Sequence, residues 1–243
     1  MVKRVVISAA GRGTRMKHLS KDRPKHLIEV NGEPFLFHLL SNLEEAGYED
    51  IIIVIGHMSQ HIVDYVARGR HPHVRLVNQF ERLGEEKYGT AIPLLAARPE
   101  IGDEDFVAVY GDNLYSVRDL KKFTIDDDFH YVAGLHQDDP SKYGVLLYDQ
   151  DMFLKKIIEK PKVDVGSHII NTGLMKFTSE IFLALERVRP NPETGEYYLV
   201  DALTDLAREK KVKVTILEDY WLDFGKPEDV QILSQFLTDR KVK

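Results

Sequence analysis

Short β-branched runs alternate with amphipathic segments along the first half of this chain, the pattern of a mainly parallel sheet with helices on its faces. Arg4 to Ser8, Ile51 to Ile55, Val74 to Asn78 and Phe106 to Tyr110 are predicted strands. Between the first two lies PFLFHLLSNLEEAG, where Leu36, Leu39, Leu40 and Leu43 share one helical face and Gly47 supplies the stop, so the unit reads as a βαβ crossover. The second half changes rhythm. YVAGLH, YGVLLYD, KKIIEKP and NTGLMKF are strand-like pieces with hairpin-length breaks, followed by helices near Ser179 to Leu185 and Tyr197 to Glu209. A closing strand, KVTILE, leads to a helix begun by Pro227, with Val230, Leu233 and Leu237 at core spacing. The expectation is an α/β fold with a mixed, mostly parallel sheet flanked by helices.

No internal repeat or linker interrupts this pattern, and nothing after Leu237 is long enough for a second domain, so residues 1–243 are expected to form one domain. The chain is 43% hydrophobic and 30% charged, which allows a sizeable core. Formal net charge is −6 and the 33 basic residues form no run, which argues against nucleic-acid binding and leaves phosphate-bearing partners to be handled locally. The absence of cysteine removes disulfides, thiolate metal sites and thiol nucleophiles. Met1 leads directly into a strand pattern without a signal peptide, and no apolar run approaches about 18 residues. A cytoplasmic protein without membrane association is therefore expected. Its oligomeric state stays open between monomer and homodimer.

The first chemistry-bearing segment is VVISAAGRGTRM, Val5 to Met16. A glycine-rich loop directly after a strand sits at the carboxyl edge of the sheet, where open α/β folds bind ligands. Gly11 and Gly13 admit close backbone approach, while Arg12, Thr14 and Arg15 bring donors, so phosphate is the natural guest. The spacing is neither the dinucleotide fingerprint nor the Walker loop, which disfavours a NAD enzyme or a P-loop ATPase.

The loop continues into RPKHLIEVNGEPFL, and Val5 to Leu36 resembles the sugar-1-phosphate nucleotidylyltransferases, whose signature is a strand, G-x-G-T-R and a nearby Pro-Lys. YGTA at Tyr88, VYGDN at Val109, YGVLLYD at Tyr143, IIEKP at Ile157, NTGLMKF at Asn171 and WLDFG at Trp221 follow in family order. The resemblance, to glucose-1-phosphate thymidylyltransferases and UTP-glucose-1-phosphate uridylyltransferases in particular, covers nearly the whole chain. It implies a Rossmann-like nucleotide-diphospho-sugar transferase fold, with a nucleotide-binding half to about residue 130 and a sugar-binding half from about 131. It also implies the reaction: a nucleoside triphosphate, UTP or dTTP, and a sugar 1-phosphate, glucose 1-phosphate first, give a nucleotide sugar and pyrophosphate. A phosphate monoester has a second pKa of about 6, so the acceptor is already nucleophilic at neutral pH and the site needs positive charge more than a base.

By motif match, Arg15 and Lys25 are expected on the departing pyrophosphate and Lys160 on the sugar phosphate or α-phosphate. Ala10, Gly11, Gly13, Thr14, Gln79, Gly89 and Thr90 match nucleotide-binding positions, and Gly144, Glu159 and Asn171 match sugar-binding ones. Asp112 and Asp223 match the magnesium-binding aspartates, in keeping with one or two carboxylates holding Mg²⁺ together with substrate oxygens. Several departures from the pattern matter. The Gln79 to Gly89 spacing is long, Ser8 replaces a common aliphatic residue, and Phe224 stands where Thr is frequent, so the base is not carried over. Glu196, in GEYYLVDAL, is either a sugar-side contact or an ordinary first-turn carboxylate. Asp149-Gln150-Asp151 reads as an acidic turn rather than a glycosyltransferase D-x-D, His57 and His61 as an exposed helix start, and Asp126 to Asp128 as a solvated loop. The family often carries a C-terminal β-helix with acyltransferase activity; this chain has no hexapeptide repeat. A cytidylyl- or guanylyltransferase for another phosphorylated sugar or alcohol, and a non-catalytic regulatory relative, are the competing readings.

Overall fold

A computed structural model describes residues 1–241. The chain begins with β1 (Arg4–Ala9), a small hairpin of β2 (Glu29–Val30) and β3 (Glu33–Pro34), and α1 (Phe35–Ala46), which Gly47 ends in the left-handed conformation. Next come β4 (Asp50–Ile55), α2 (Ser59–Val66), β5 (Val74–Asn78), α3 (Gln79–Leu83), α4 (Ile92–Ile101), β6 (Phe106–Tyr110), β7 (Asn113–Tyr115) and α5 (Val117–Lys122). The second half holds β8 (His130–His136), β9 (Gly144–Tyr148), β10 (Leu154–Glu159), β11 (Ile169–Phe177), α6 (Ile181–Leu185) and α7 (Leu199–Arg208). It closes with β12 (Val212–Ile216), β13 (Trp221–Asp223) and α8 (Pro227–Lys241). The expected strands and the α1 crossover are present with ends shifted by a residue or two, the usual uncertainty where termini fray. The short β7–β13 pair carries no periodic signal and was not anticipated.

The main sheet is mixed, mostly parallel and flanked by helices. Its order is β10-β9-β11-β6-β1-β4-β5, with β8 beside β11 and β12 beside β8. β5, β4, β1 and β6 are parallel neighbours, and β6 to β11 is the first antiparallel step. β11 serves both halves: Leu174 to Phe177 pair with β6, while Ile170 alone reaches Val145 of β9.

Parallel strands buried on both faces should be apolar; Val5 to Ile7, Ile51 to Ile55 and Phe106 to Val109 are buried apolar runs, while β5 at the sheet edge keeps polar Arg75 and Asn78. Val5, Ile7, Ile51 and Ile53 face a core with Leu36, Leu40 and Leu43 of α1, Leu120 of α5 and Leu233 of α8. Val6, Ile52 and Val54 face a second core with Leu94 of α4, Phe182 of α6 and Leu203 of α7.

Asp126 and Asp128 are exposed, as expected of a solvated loop, but Asp127 is not. Asp127 is half-buried and accepts from the Tyr131 hydroxyl at 2.6 Å, and the fully buried Lys176 reaches Asp105 at 2.8 Å and the Phe129 carbonyl at 3.0 Å. A buried ammonium needs this many oxygens around it, and the loop supplies some of them. Asp149 is the turn residue expected of it, accepting from the N–H groups of Asp151 and Phe153.

Candidate active site

Parallel strands deliver their following loops to one edge, and three do so here. Ser8 pairs in register with Tyr110, and the Ser8 carbonyl accepts from Gly111 N–H at 3.0 Å, so the segments after β1 and β6 leave side by side. The segment after β4 joins them through His57 N–H on the Ala10 carbonyl at 3.3 Å. Met16, fully buried, anchors the turn that starts at Thr14, which leaves Arg15 exposed above the edge. Pro24 then brings Lys25 back over the β6 segment, where its ammonium pairs with the Asp112 carboxylate.

Asp223 arrives from the far end of the chain. β13 runs antiparallel to β7 with Asp223 opposite Asn113, and Phe224 N–H donates to the Asp112 carbonyl at 2.8 Å. Asp229, at the start of α8, fixes the turn beyond by accepting from Gly225 and Lys226 N–H at 2.8 and 2.9 Å. Phe224 stacks on Phe35 at 4.3 Å in the core, so this departure from the family pattern faces away from the ligand edge.

The electrostatics of the two aspartates differ. Burial, the Asp112 charge and the Asp229 charge push Asp223 up to about 6, against the pull of Arg15 and Lys25. Burial also pushes Asp112 upward, but Lys25 beside it outweighs this with help from His26 and Arg15, and its pKa is lowered. Two carboxylates that repel each other, under two cations, suit a divalent cation and phosphate oxygens. Among the described residues no cluster of three or more His, Cys, Asp or Glu could hold a metal by itself.

A cavity of about 730 Å³ opens beside this cluster. Of the residues expected from sequence, it is lined by Ala10, Gly11, Arg15, Lys25, Gln79, Gly89, Thr90 and Asp112, together with Ser8, Arg12 and Glu196. Gln79 reaches it because the long Gln79 to Gly89 spacing opens with the helical turn of α3, capped by Asn78 on Phe80 N–H at 3.0 Å. The Gln79 amide nitrogen donates to the Lys87 carbonyl at 3.3 Å, leaving its Oε1 buried without a protein partner. Gly89 has φ of +116°, and a Cβ there would lie 2.5 Å from the backbone N and O of Tyr197, so only glycine fits. Thr90 Oγ accepts from Leu199 N–H at 2.9 Å, tying this loop to the start of α7.

Gly13, Thr14, Lys160, Gly144, Glu159, Asn171 and Asp223 lie outside that lining. Gly13 backs onto the Lys25 stem. Gly144 and Glu159 face each other across β9 and β10, and Lys160 follows with its N–H on the Tyr143 carbonyl at 3.0 Å. Asn171 turns its Oδ1 onto Gly173 N–H at 3.0 Å. This second group meets the cavity through Tyr110, whose phenol is raised by burial and by the charges of Glu159 and Asp112.

Sequence reading missed His26. It is 1% exposed, lines the cavity, has no partner on either ring nitrogen, and is held down to about 3 by burial and the Lys25 charge. Its apolar neighbours in RPKHLI gave no signal beyond Lys25 itself.

Comparison with known proteins places these features among relatives. Residues 4–240 match the family described as nucleotidyl transferase. The chain is 34% identical over 230 residues to a UTP-glucose-1-phosphate uridylyltransferase, AglF, of Haloferax volcanii, covering 92% of each. It is 31% identical over 236 residues to the bifunctional protein GlmU of Methanocaldococcus jannaschii, covering 97% of this chain and 54% of that one. The chain thus spans about half the length of such GlmU relatives. In fold it is similar to a UDP-glucose pyrophosphorylase solved with UDP-glucose, with TM-score 0.82, 23% identity and coverage of 99% and 100%.

Proposed function

Because the chain belongs to the nucleotidyl transferase family, we propose that it joins UTP or dTTP to a sugar 1-phosphate, glucose 1-phosphate first, giving a nucleotide sugar and pyrophosphate. The observation that carries this reading is the convergence of Arg15, Lys25 and Asp112 on one cavity, with Asp223 brought beside Asp112 from the far end of the chain. The resemblance to AglF favours uridylyl transfer, and the free Gln79 acceptor suits the N3–H of uracil or thymine.

In the proposed reaction an oxygen of the sugar phosphate attacks the α-phosphorus, and the bond to pyrophosphate breaks as charge grows on the leaving oxygens. Arg15 and Lys25 neutralise that charge, and Lys160 steadies the acceptor phosphate; the acceptor needs no general base. Asp112 and Asp223 would hold magnesium, which when bound supplies charge neutralisation on the triphosphate. The Rossmann-like half to about residue 130 would take the nucleotide, and Gly144, Glu159 and Asn171 the sugar.

Pyrophosphate release with magnesium, crossing UTP, dTTP, CTP, GTP and ATP against glucose, N-acetylglucosamine, galactose and mannose 1-phosphates, tests this. Release from a uridine or thymidine pair is expected. Release only with CTP or GTP would replace the base assignment, and nucleotide binding without release from any pair would favour a regulatory relative.

A further inference from the structure

The cavity wall holds a buried polar side chain that the proposed reaction does not use, His26. It is 1% exposed, and neither ring nitrogen has a partner. A buried imidazole with its N–H unpaired is costly, so its place here points to a partner that the free protein does not offer.

Two segments enclose the ring. It follows Lys25 in the chain, and its Cδ2–Nε2 edge lies against Gly111, where a Cβ would be 3.2 Å from both atoms. Gly111 precedes Asp112, whose charge acts on the ring as that of Lys25 does. The Nε2 edge therefore faces the segment that carries Asp112, beside the ion pair joining the two segments. That pair occupies one carboxylate oxygen, Oδ2, while Oδ1 accepts no hydrogen bond from the described residues. An unmatched donor and an unmatched acceptor thus lie on adjoining segments.

We propose that His26 is a positioning residue for Asp112: when phosphate oxygens draw Lys25 away, the His26 Nε2–H donates to one oxygen of the Asp112 carboxylate and leaves the other for the cation. This rests on the nucleotidyl-transfer reading, in which a triphosphate and a divalent cation enter together. Carboxylates that ligate metals are themselves hydrogen-bonded, and such partners fix their orientation. A neutral imidazole does this without setting a second positive charge beside the cation, which Lys25 in the same place would do.

Two readouts test this. In the first, NMR follows the imidazole nitrogen and proton resonances of His26, assigned by their loss in His26→Gln. They are compared in the wild type alone, in Lys25→Met alone, and in the wild type with Mg²⁺ and either UTP or inorganic tripolyphosphate. Tripolyphosphate carries no base, so its result is independent of which nucleotide the protein uses. Lys25→Met without ligand, and the wild type with Mg²⁺ and either phosphate, should each show a slowly exchanging Nε2–H moved downfield. In the second, His26→Phe should need about tenfold more magnesium for half-maximal pyrophosphate release, with kcat at saturation within about threefold of the wild type. His26→Gln, whose carboxamide can donate from nearby, should stay within about threefold in both. A His26 resonance unmoved in Lys25→Met, or unmoved by Mg²⁺ and tripolyphosphate that calorimetry shows to bind, overturns the role. So does an unchanged magnesium requirement in His26→Phe, or a rise shared equally by His26→Gln, which would assign the ring to packing. Failure of the wild type to bind tripolyphosphate or any of the five nucleotides would instead overturn the nucleotidyl-transfer reading, while Lys25→Met still decides whether His26 can hold Asp112.

Discussion

The two ends of the cavity are built differently. At the charged end, Arg15, Lys25, Asp112 and Asp223 come from segments separated by most of the length of the chain, and the ends of β1, β6 and β13 fix their mutual positions. At the other end, Gln79, Glu85, Gly89 and Thr90 lie within one continuous stretch, fastened elsewhere by Arg82 on the Ala96 carbonyl of α4 and where Tyr88 to Ala91 meet the turn before α7. On the proposed reading chemistry rests on the scaffold and selectivity on a loop, so the first should tolerate change poorly and the second should retune.

The largest effects should therefore come from the charged end. Asp112→Asn and Asp223→Asn are each expected to lose at least about a hundredfold in turnover while melting as cooperatively as the wild type. Near-normal turnover at saturating magnesium in either variant would remove that aspartate from the reaction. Gly89→Ala comes next. Its Cβ forces the loop away from Tyr197, so nucleotide affinity should fall about tenfold or more, and unchanged affinity would show the loop to be freer than its contacts imply. Gln79→Ala should cost about tenfold in nucleotide KM, with little change in kcat, and should narrow the preference among bases.

Smaller effects appear in pH dependence and sharpen the same contrast. Asp223 titrates near 6 in the folded protein, so turnover without cation saturation should decline as pH falls through 6, and the decline should move to lower pH as magnesium is raised. For stability the sign is the reverse. Between about pH 4 and 6 the native state holds a proton that the unfolded chain has lost, so folding stability falls as pH rises through that window. Asp223→Asn should consequently melt a few degrees above the wild type at pH 7 and level with it below about pH 4. His130, far from the cavity, gives the smallest effect. It is buried neutral, its pKa lowered to about 4 by burial, so stability should decline as pH falls from about 6.5 toward 4, and His130→Gln should flatten that decline.

What the sequence revealed follows the same division. The four strands of the parallel half and α1 are legible because burial writes short β-branched runs and a Leu stripe. The cations and aspartates of the charged end were legible as motifs, and the resemblance already paired Asp223 with Asp112; the three-residue β7–β13 pairing that brings them together is too short for periodicity. His26 and Lys176 were missed for a common reason. Polar residues inside apolar segments look like surface positions until tertiary structure shows a cavity around one and a ring of oxygens around the other.

The contact between Lys25 and Asp112 has one more consequence. Lys25 and Asp112 satisfy each other's charge. A triphosphate arriving alone would take Lys25 and strand Asp112; a cation arriving alone would do the opposite. On the proposed reading only the two together exchange one ion pair for two, so metal and nucleotide would be mutual passports, each raising the affinity for the other by the same factor.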